Sequence, residues 1–306
     1  MPCYKPLKCY ISGGTYYFDQ SKAQRLGAAL LSSLPCGRCI GCRLLQSQKW
    51  ATRCIHESSF YDCSTFATIT YDQKNCPSNY SLVKSDLQKF HKLLSYHLRH
   101  RISYFSCGEY GGRFGRPHYH SCIFGFDDPA KEFMHKNNGC SIYYSPVLST
   151  IWKKGNVILG DLNYKTAAYV ARYTLKKVTG KKRDEGYYDI PHPFTGEIIS
   201  REPEFMLSSK KPAIGLNWIN KFWPEVYAHD ACYYEGKKIQ VPRYYDQQLE
   251  KIDKNLHDEI KQSRIENMKS LDKIEFSEKR LCVKETSKIL KQEFFSRAVD
   301  RSTIYD

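Results

Sequence analysis

The chain has 306 residues, a formal net charge of +15 and a pI of about 9.1. Hydrophobic residues make up 41% of it, and no apolar run approaches the roughly 20 residues that a membrane span needs. Residues 1–8 contain no apolar signal core, which predicts that the chain is not secreted. Lysine and arginine are interleaved with 24 tyrosines and 15 phenylalanines, a composition that suits a nucleic-acid partner because cations bind phosphates and rings stack on bases. The alternative is a basic but merely solvated surface.

The chain has 13 cysteines, an odd number, so a disulfide framework is not expected. Most of them are predicted to be small buried residues. Residues 36–42 differ, because they hold three cysteines at two-residue gaps, and Gly37 and Gly41 allow the tight turns of a metal-binding knuckle. Structural zinc takes four ligands, so this spacing predicts a Zn²⁺ site formed by Cys3, Cys36, Cys39 and Cys42. Cys9 and Cys54 are alternative fourth ligands, and reduced cysteines in a turn or an iron–sulfur cluster are alternative interpretations.

The remaining elements alternate in chain order. Apolar spacing, β-branched residues and turn residues predict helices at 43–61, 84–101, 148–152 and 163–178, and strands at 65–71, 102–109, 121–125 and 155–160. Ser85 or Asp86 is expected to cap the second helix, and Asn163 or Thr166 the last. The pattern predicts an α+β fold with a mainly antiparallel sheet covered by helices. We expect three parts: a Cys-rich knuckle and helix (1–60), a central α+β domain with a basic accessory region (61–240, core 61–180), and a charged helical extension (241–306).

A predicted hairpin carries the first candidate site. His118 and His120 lie two residues apart, so on a strand both side chains point to one face. Glu109 ends the preceding strand, and the hairpin would bring its carboxylate close to both rings. Two imidazoles and one carboxylate with open positions are typical of a divalent-metal site. The alternative is a structural or zinc-binding histidine pair.

The helix at 164–177 carries the second candidate site. Tyr169 and Tyr173 are four residues apart and therefore share a helix face. Arg172 and Lys176 follow them at three-residue spacing, where a cation could hold a phosphate or favour a phenolate. Two hydroxyls near one metal predict phosphodiester transfer, with a tyrosine oxygen attacking phosphorus and becoming attached to the DNA 5′ end. The alternative is an aromatic pair that packs on the sheet.

These motifs resemble a known family. Residues 116–120, with Tyr169 and Tyr173 downstream, resemble the HUH endonucleases that start rolling-circle replication, in their two-tyrosine form. Residues 35–43, 50–53, 66–72, 108–111 and 204–207 are further similar to the replication initiation proteins of gokushoviruses, in the microvirus family. The resemblance covers about residues 1–220 and implies an HUH nuclease-like fold.

The resemblance also implies roles. His118, His120 and Glu109 would bind Mg²⁺ or Mn²⁺, and Tyr169 and Tyr173 would be the nucleophiles of an origin-specific single-strand endonuclease and strand transferase. Its partners would be the single-stranded and replicative-form viral DNA in the bacterial cytoplasm. Since the chain has no GxxxxGK[ST] phosphate loop, a host helicase is expected to unwind the duplex for a host polymerase. Expected phosphate-binding residues are Arg116, Lys177, Lys210 and Lys211.

Two rival functions stay open at this point. The first is a non-catalytic, zinc-containing DNA-binding protein, in which the cysteines and the basic surface do the work. The second is a histidine-dependent nuclease that forms no covalent tyrosine intermediate.

Overall fold

The structure is a computed structural model that describes residues 3–12, 15–27, 29–111, 115–137, 139–173, 181–192, 195–269 and 273–302. The chain packs into two compact units, one of Ser47–Ile260 and one that combines Met1–Gln46 with Lys261–Asp306. These units group residues by packing, and the functional division at residues 60 and 240 stays a prediction.

The strands are β1 (Leu7–Ser12), β2 (Thr15–Tyr17), β3 (Ala29–Leu34), β4 (Ser64–Thr70), β5 (Ser103–Tyr110), β6 (Pro117–Phe124), β7 (Glu132–Asn137), β8 (Cys140–Tyr144), β9 (Val157–Asp161), β10 (Asp189–Pro191), β11 (Ile198–Ser200), β12 (Phe205–Ser208), β13 (Cys232–Tyr234) and β14 (Lys237–Ile239). The helices are α1 (Gln20–Arg25), α2 (Ile40–Ser58), α3 (Lys84–His97), α4 (Pro146–Trp152), α5 (Tyr164–Tyr173), α6 (Lys181–Asp184), α7 (Leu216–Ala228), α8 (Arg243–Ile252), α9 (Lys254–Lys269) and α10 (Glu278–Ser302), with a 3₁₀ turn at Lys273–Phe276.

A seven-stranded sheet organises the larger unit. Its strand order is β12-β5-β6-β4-β9-β8-β7, and every neighbouring pair is antiparallel. The predicted α+β class with a helix-covered antiparallel sheet is therefore confirmed. The smaller unit holds a separate three-stranded sheet in the order β2-β1-β3.

The two faces of the large sheet pack against different helices. On β4, burial alternates along the strand, and Ala67 and Ile69 share a core with Phe90 of α3 and Trp152 of α4. On the opposite face, Cys122 of β6 packs in a second core; the other members include Ala51, Cys54, Phe105, Ala167 and Val170. Because successive strand residues alternate between faces, the histidines of β6 lie on the face covered by α2 and α5.

Most predicted elements are confirmed, with local corrections. Helix α3 begins after Val83, which makes no side-chain cap, so the expected cap at Ser85 or Asp86 is wrong. The buried Asp86 carboxylate instead accepts hydrogen bonds from the Tyr71 hydroxyl and Lys154. Strands β1–β3 and the β7–β8 hairpin were not predicted. The expected helix at 163–178 is described only as far as residue 173.

Candidate metal and tyrosine site

The register of the β5–β6 hairpin sets the geometry of the site. Glu109 is the cross-strand partner of His118, and Cys107 is the partner of His120. Both histidines therefore lie next to the carboxylate on one face of the sheet. One ligand atom from each of Glu109, His118 and His120 lies within 4.8 Å of the other two.

The two imidazoles converge on one carboxylate oxygen. The Nε2 atoms of His118 and His120 lie 2.8 and 2.7 Å from Glu109 Oε1. The His118 Nδ1 atom is 3.1 Å from the Arg116 carbonyl oxygen, which can only accept, so Nδ1 carries a proton. A neutral His118 would then turn a lone pair towards the carboxylate, which requires a proton or a cation between the two groups.

The second Glu109 oxygen supports a cation at this position. Glu109 is 3% exposed, and among the described residues its buried Oε2 atom has no hydrogen-bond partner. Leaving a buried carboxylate oxygen unpaired is costly. A divalent cation would satisfy it, and the ligand types match those of sites with open coordination positions. The residues present therefore fit a bound divalent metal.

Electrostatics favour the ionised carboxylate. Burial raises the pKa of Glu109, but the hydrogen bonds from His118 and His120 outweigh this effect, and the resulting pKa is below the ordinary value. Glu109 is therefore an anion at neutral pH, which is the form that a metal ligand needs.

Helix α5 brings Tyr169 to the same cluster. Asn163 caps the helix, because its side-chain oxygen accepts from the backbone N–H groups of Lys165 and Thr166 at 2.9 and 3.0 Å. One turn into the helix, the half-buried Tyr169 hydroxyl donates to Glu109 Oε1 at 3.4 Å. A phenol, two imidazoles and a carboxylate thus meet at one point, a combination that can bind a cation and present a nucleophile.

Two residues of strand β4 support the site and were not predicted as contacts. The Thr68 hydroxyl lies 3.0 Å from His120 Nδ1 and so orients the ring. The Phe66 ring stacks on His120 at 5.5 Å and meets Tyr169 edge-on at 6.3 Å. The alternation of side chains along β4 would have indicated that Phe66 and Thr68 share a face. Their contact with His120 follows only from the pairing of β4 with β6, in which Thr68 lies opposite His120.

The other predicted site residues are arranged differently. The exposed Arg172 guanidinium lies 5.9 Å from the Tyr169 ring centre, whereas Arg116 Nη2 donates to the Tyr71 carbonyl at 2.6 Å. Lys210 and Lys211 are exposed in the segment after β12. The Tyr173 side chain, Lys176 and Lys177 lie outside the described residues.

The four predicted zinc ligands also come together. One sulfur atom from each of Cys3, Cys36, Cys39 and Cys42 lies within 4.8 Å of the other three. Burial raises the pKa of the Cys39 thiol, but backbone N–H donors and neighbouring thiols lower it more, to about 6. Burial also raises the pKa of Cys3 and Cys42. The cluster is consistent with metal binding.

Tight turns were predicted at Gly37 and Gly41 of this cluster, and the structure shows one at Gly37 only. Gly37 has φ +72°, which favours glycine, and an added Cβ would have open space. The turn expected at Gly41 is wrong, because Gly41 lies in the first turn of α2. Cys42 therefore projects from a helix.

Comparison with known proteins relates this chain to one protein family. Residues 64–178, which span β4 to α5, match the model of the family described as replication-associated protein ORF2/G2P. The chain is 31% identical over 256 residues to the replication-associated protein VP4 of Bdellovibrio phage phiMH2K, covering 80% of this chain and 76% of that protein. It is 29% identical over 278 residues to the replication-associated protein ORF2 of Spiroplasma virus 4, covering 82% and 81%. It is 25% identical over 228 residues to the replication-associated protein ORF4 of Chlamydia phage 1, covering 72% and 54%. No solved structure matches.

The sheet and the hairpin that carries Glu109, His118 and His120 thus belong to a phage replication protein. More particularly, the chain is a member of the family of phage replication-associated proteins, and its resemblance to the gokushovirus replication initiators is confirmed. In the part of the chain that the structure describes, no helix has the length and apolar character required to cross a membrane.

Proposed function

We propose that this chain is a rolling-circle replication initiator that nicks single-stranded DNA at the viral origin and later rejoins the circular strand. The observation that carries the proposal is the position of the Tyr169 hydroxyl, 3.4 Å from the carboxylate on which His118 and His120 converge. The names of the relatives, which describe replication-associated proteins, support the same role. A purely DNA-binding role would not require this combination of groups.

The proposed reaction is a transesterification. The Tyr169 oxygen forms a bond to phosphorus, the bond from phosphorus to the 3′ oxygen breaks, and that oxygen leaves as a 3′ hydroxyl. The 5′ phosphate stays on the tyrosine, so the bond energy is kept and a 3′ hydroxyl can reverse the step. Tyr173, one helical turn further, would supply a second nucleophile for the strand made in the next round.

Mg²⁺ or Mn²⁺, held by Glu109, His118 and His120, would offset the negative charge that develops on the phosphate. The chain itself supplies orientation. Thr68 fixes the His120 ring, the Arg116 carbonyl fixes the His118 ring, and Phe66 supports both His120 and Tyr169.

The substrate requires further contacts with phosphates. Lys210 and Lys211 are exposed at the edge of the sheet, in the segment that follows β12, and β12 pairs with β5. We propose that they bind the DNA backbone, as the net charge of +15 would favour. A host helicase and polymerase would then unwind and copy the duplex.

The proposal is tested with a labelled single-stranded origin oligonucleotide and Mn²⁺ or Mg²⁺. We expect a protein–DNA adduct that survives denaturation in the unmodified chain and is lost in the double variant Tyr169→Phe, Tyr173→Phe. Tyr164→Phe is the matched control, because Tyr164 lies on the same helix and its hydroxyl instead contacts the Gln48 carbonyl at 3.3 Å. It should leave the adduct unchanged.

Each rival function has its own outcome in this assay. Origin binding without any cleavage would indicate a non-catalytic DNA-binding protein. Cleavage without an adduct would indicate a nuclease that does not use a covalent tyrosine. Persistence of the adduct in the double variant would contradict the nucleophile assignment.

A further inference from the structure

The cysteine cluster of the smaller unit has the dimensions of a tetrahedral metal site. Four sulfurs at about 2.3 Å from a tetrahedral zinc ion lie about 3.8 Å from one another. The Sγ atoms of Cys3 and Cys39 are 3.8 Å apart, far beyond the roughly 2.05 Å of a disulfide. All four sulfurs of the cluster lie within 4.8 Å of one another. Their spacing therefore fits one shared ion.

Backbone N–H groups point at these sulfurs. The N–H of Cys36 donates to Cys3 Sγ at 3.2 Å, and that of Tyr4 donates to Cys39 Sγ at 3.3 Å. The N–H groups of Arg38 and Cys39 donate to Cys36 Sγ at 3.4 and 3.3 Å. Such donors stabilise thiolates and orient them as metal ligands. Several thiolates this close together repel one another unless a cation lies between them.

The segment that follows Cys3 contacts helix α10 in the same unit. Lys5 Nζ lies 3.2 Å from Glu285 Oε2, and Tyr4 lines a cleft together with α10 residues that include Val283 and Lys284. The Lys5 side chain is 72% exposed, and an exposed ion pair of this kind contributes little to stability. Residues 3 and 4 also contact the residue 36–42 turn, because Cys3 Sγ accepts from the Cys36 N–H and the Tyr4 N–H donates to Cys39 Sγ.

We propose that Cys3, Cys36, Cys39 and Cys42 bind a structural Zn²⁺ ion that fixes residues 3–5 on the residue 36–42 turn and thereby forms the docking surface for α10. Four thiolates are soft ligands that favour zinc over Mg²⁺ or Mn²⁺. Because all four positions are filled by protein, the ion has a structural role and no open position for substrate. This metal is distinct in chemistry and in ligands from the one proposed for Glu109, His118 and His120.

Metal content of the full chain, purified without chelators, tests the ligand set. We expect about one zinc per chain, lost in Cys39→Ser and retained in Cys63→Ser, the control at an exposed cysteine outside the cluster. Co²⁺ in place of zinc should give the visible bands of a tetrahedral thiolate site. The assignment would be overturned if the purified chain contained no metal or contained iron, or if Cys63→Ser lost as much zinc as Cys39→Ser.

Limited proteolysis of the unmodified chain tests the structural consequence without relying on a variant that could fail to fold. Chelation should speed cleavage at the lysines and arginines of α10 by at least about tenfold, and Zn²⁺ but not Mg²⁺ should restore protection. Unchanged cleavage after chelation, or restoration by Mg²⁺ alone, would refute the docking role. The double variant Tyr169→Phe, Tyr173→Phe should lack the DNA adduct yet keep its zinc, so the two proposals fail independently.

Discussion

Replacing Glu109 with glutamine is expected to weaken Mn²⁺ binding more than about 100-fold. The change keeps the size of the side chain but removes the charge that faces His118 and His120 at 2.8 and 2.7 Å. Loss of a group that only orients a metal ligand costs about 10–100-fold in affinity. Loss of the anionic ligand itself should exceed that range, and 100-fold corresponds to about 2.8 kcal/mol.

Two further variants calibrate this effect. Thr68→Val removes only the hydroxyl that orients His120, so it should fall within the 10–100-fold range. Glu57→Gln is the matched control, because Glu57, like Glu109, is 3% exposed. Its carboxylate accepts from the Gly215 N–H at 2.7 Å, so the change should lower stability and leave Mn²⁺ affinity unchanged.

Calorimetric titration with Mn²⁺, together with thermal melting of the metal-free proteins, separates binding from folding. The expected order of affinity is unmodified chain and Glu57→Gln first, then Thr68→Val, then Glu109→Gln. Mn²⁺ affinity of Glu109→Gln within threefold of the unmodified chain would refute Glu109 as a ligand. An equal loss of Mn²⁺ affinity in Glu57→Gln would show that affinity depends on any buried charge in the unit and not on the carboxylate at this site.

Three further predictions concern the surface, the core and pH. Changing Lys210 and Lys211 to glutamine should weaken binding to single-stranded DNA and reduce the slope of log K against log salt by about 0.7 for each lost phosphate contact, measured by fluorescence anisotropy. Tyr119→Phe should lower the free energy of unfolding, measured by denaturant titration, by about 1–3 kcal/mol, because the buried hydrogen bonds of the hydroxyl are lost. The same change should leave Mn²⁺ affinity unchanged, because the Tyr119 ring lies on the opposite face of the sheet from Glu109, His118 and His120. Burial lowers the pKa of His56 and His91 from 6.5 to about 3. As the pH falls, both histidines are therefore protonated in the unfolded chain before they are protonated in the folded one. The free energy of unfolding should then fall by about 1.4 kcal/mol per pH unit for each histidine between pH ~6.5 and ~3. An unchanged unfolding midpoint across that range would contradict the burial of both rings.

Short-range periodicity made several features predictable. Alternation along one strand was enough to put His118 and His120 on one face, and the two-residue gaps of residues 36–42 were enough to indicate a metal-binding cluster. Apolar spacing located α2, α3 and α5 because each helix buries one stripe against the sheet. The β7–β8 hairpin was missed because five of the six residues of β7 are exposed, including Phe133 and Met134, so the strand shows no alternation between buried and exposed residues.

Contacts between distant segments were decided only by the tertiary structure. The strand pairing opposite His118 selects Glu109, and the β4–β6 pairing brings Thr68 to His120. Packing of α5 on this face then places the Tyr169 hydroxyl at the carboxylate. The amino-acid sequence by itself determined which face each side chain occupies, because that depends on local backbone period. Strand register and helix placement depend on which surfaces bury best against each other, at separations of 52 residues for Thr68 and His120 and 60 residues for Glu109 and Tyr169. These long-range contacts decided which side chains meet at the site.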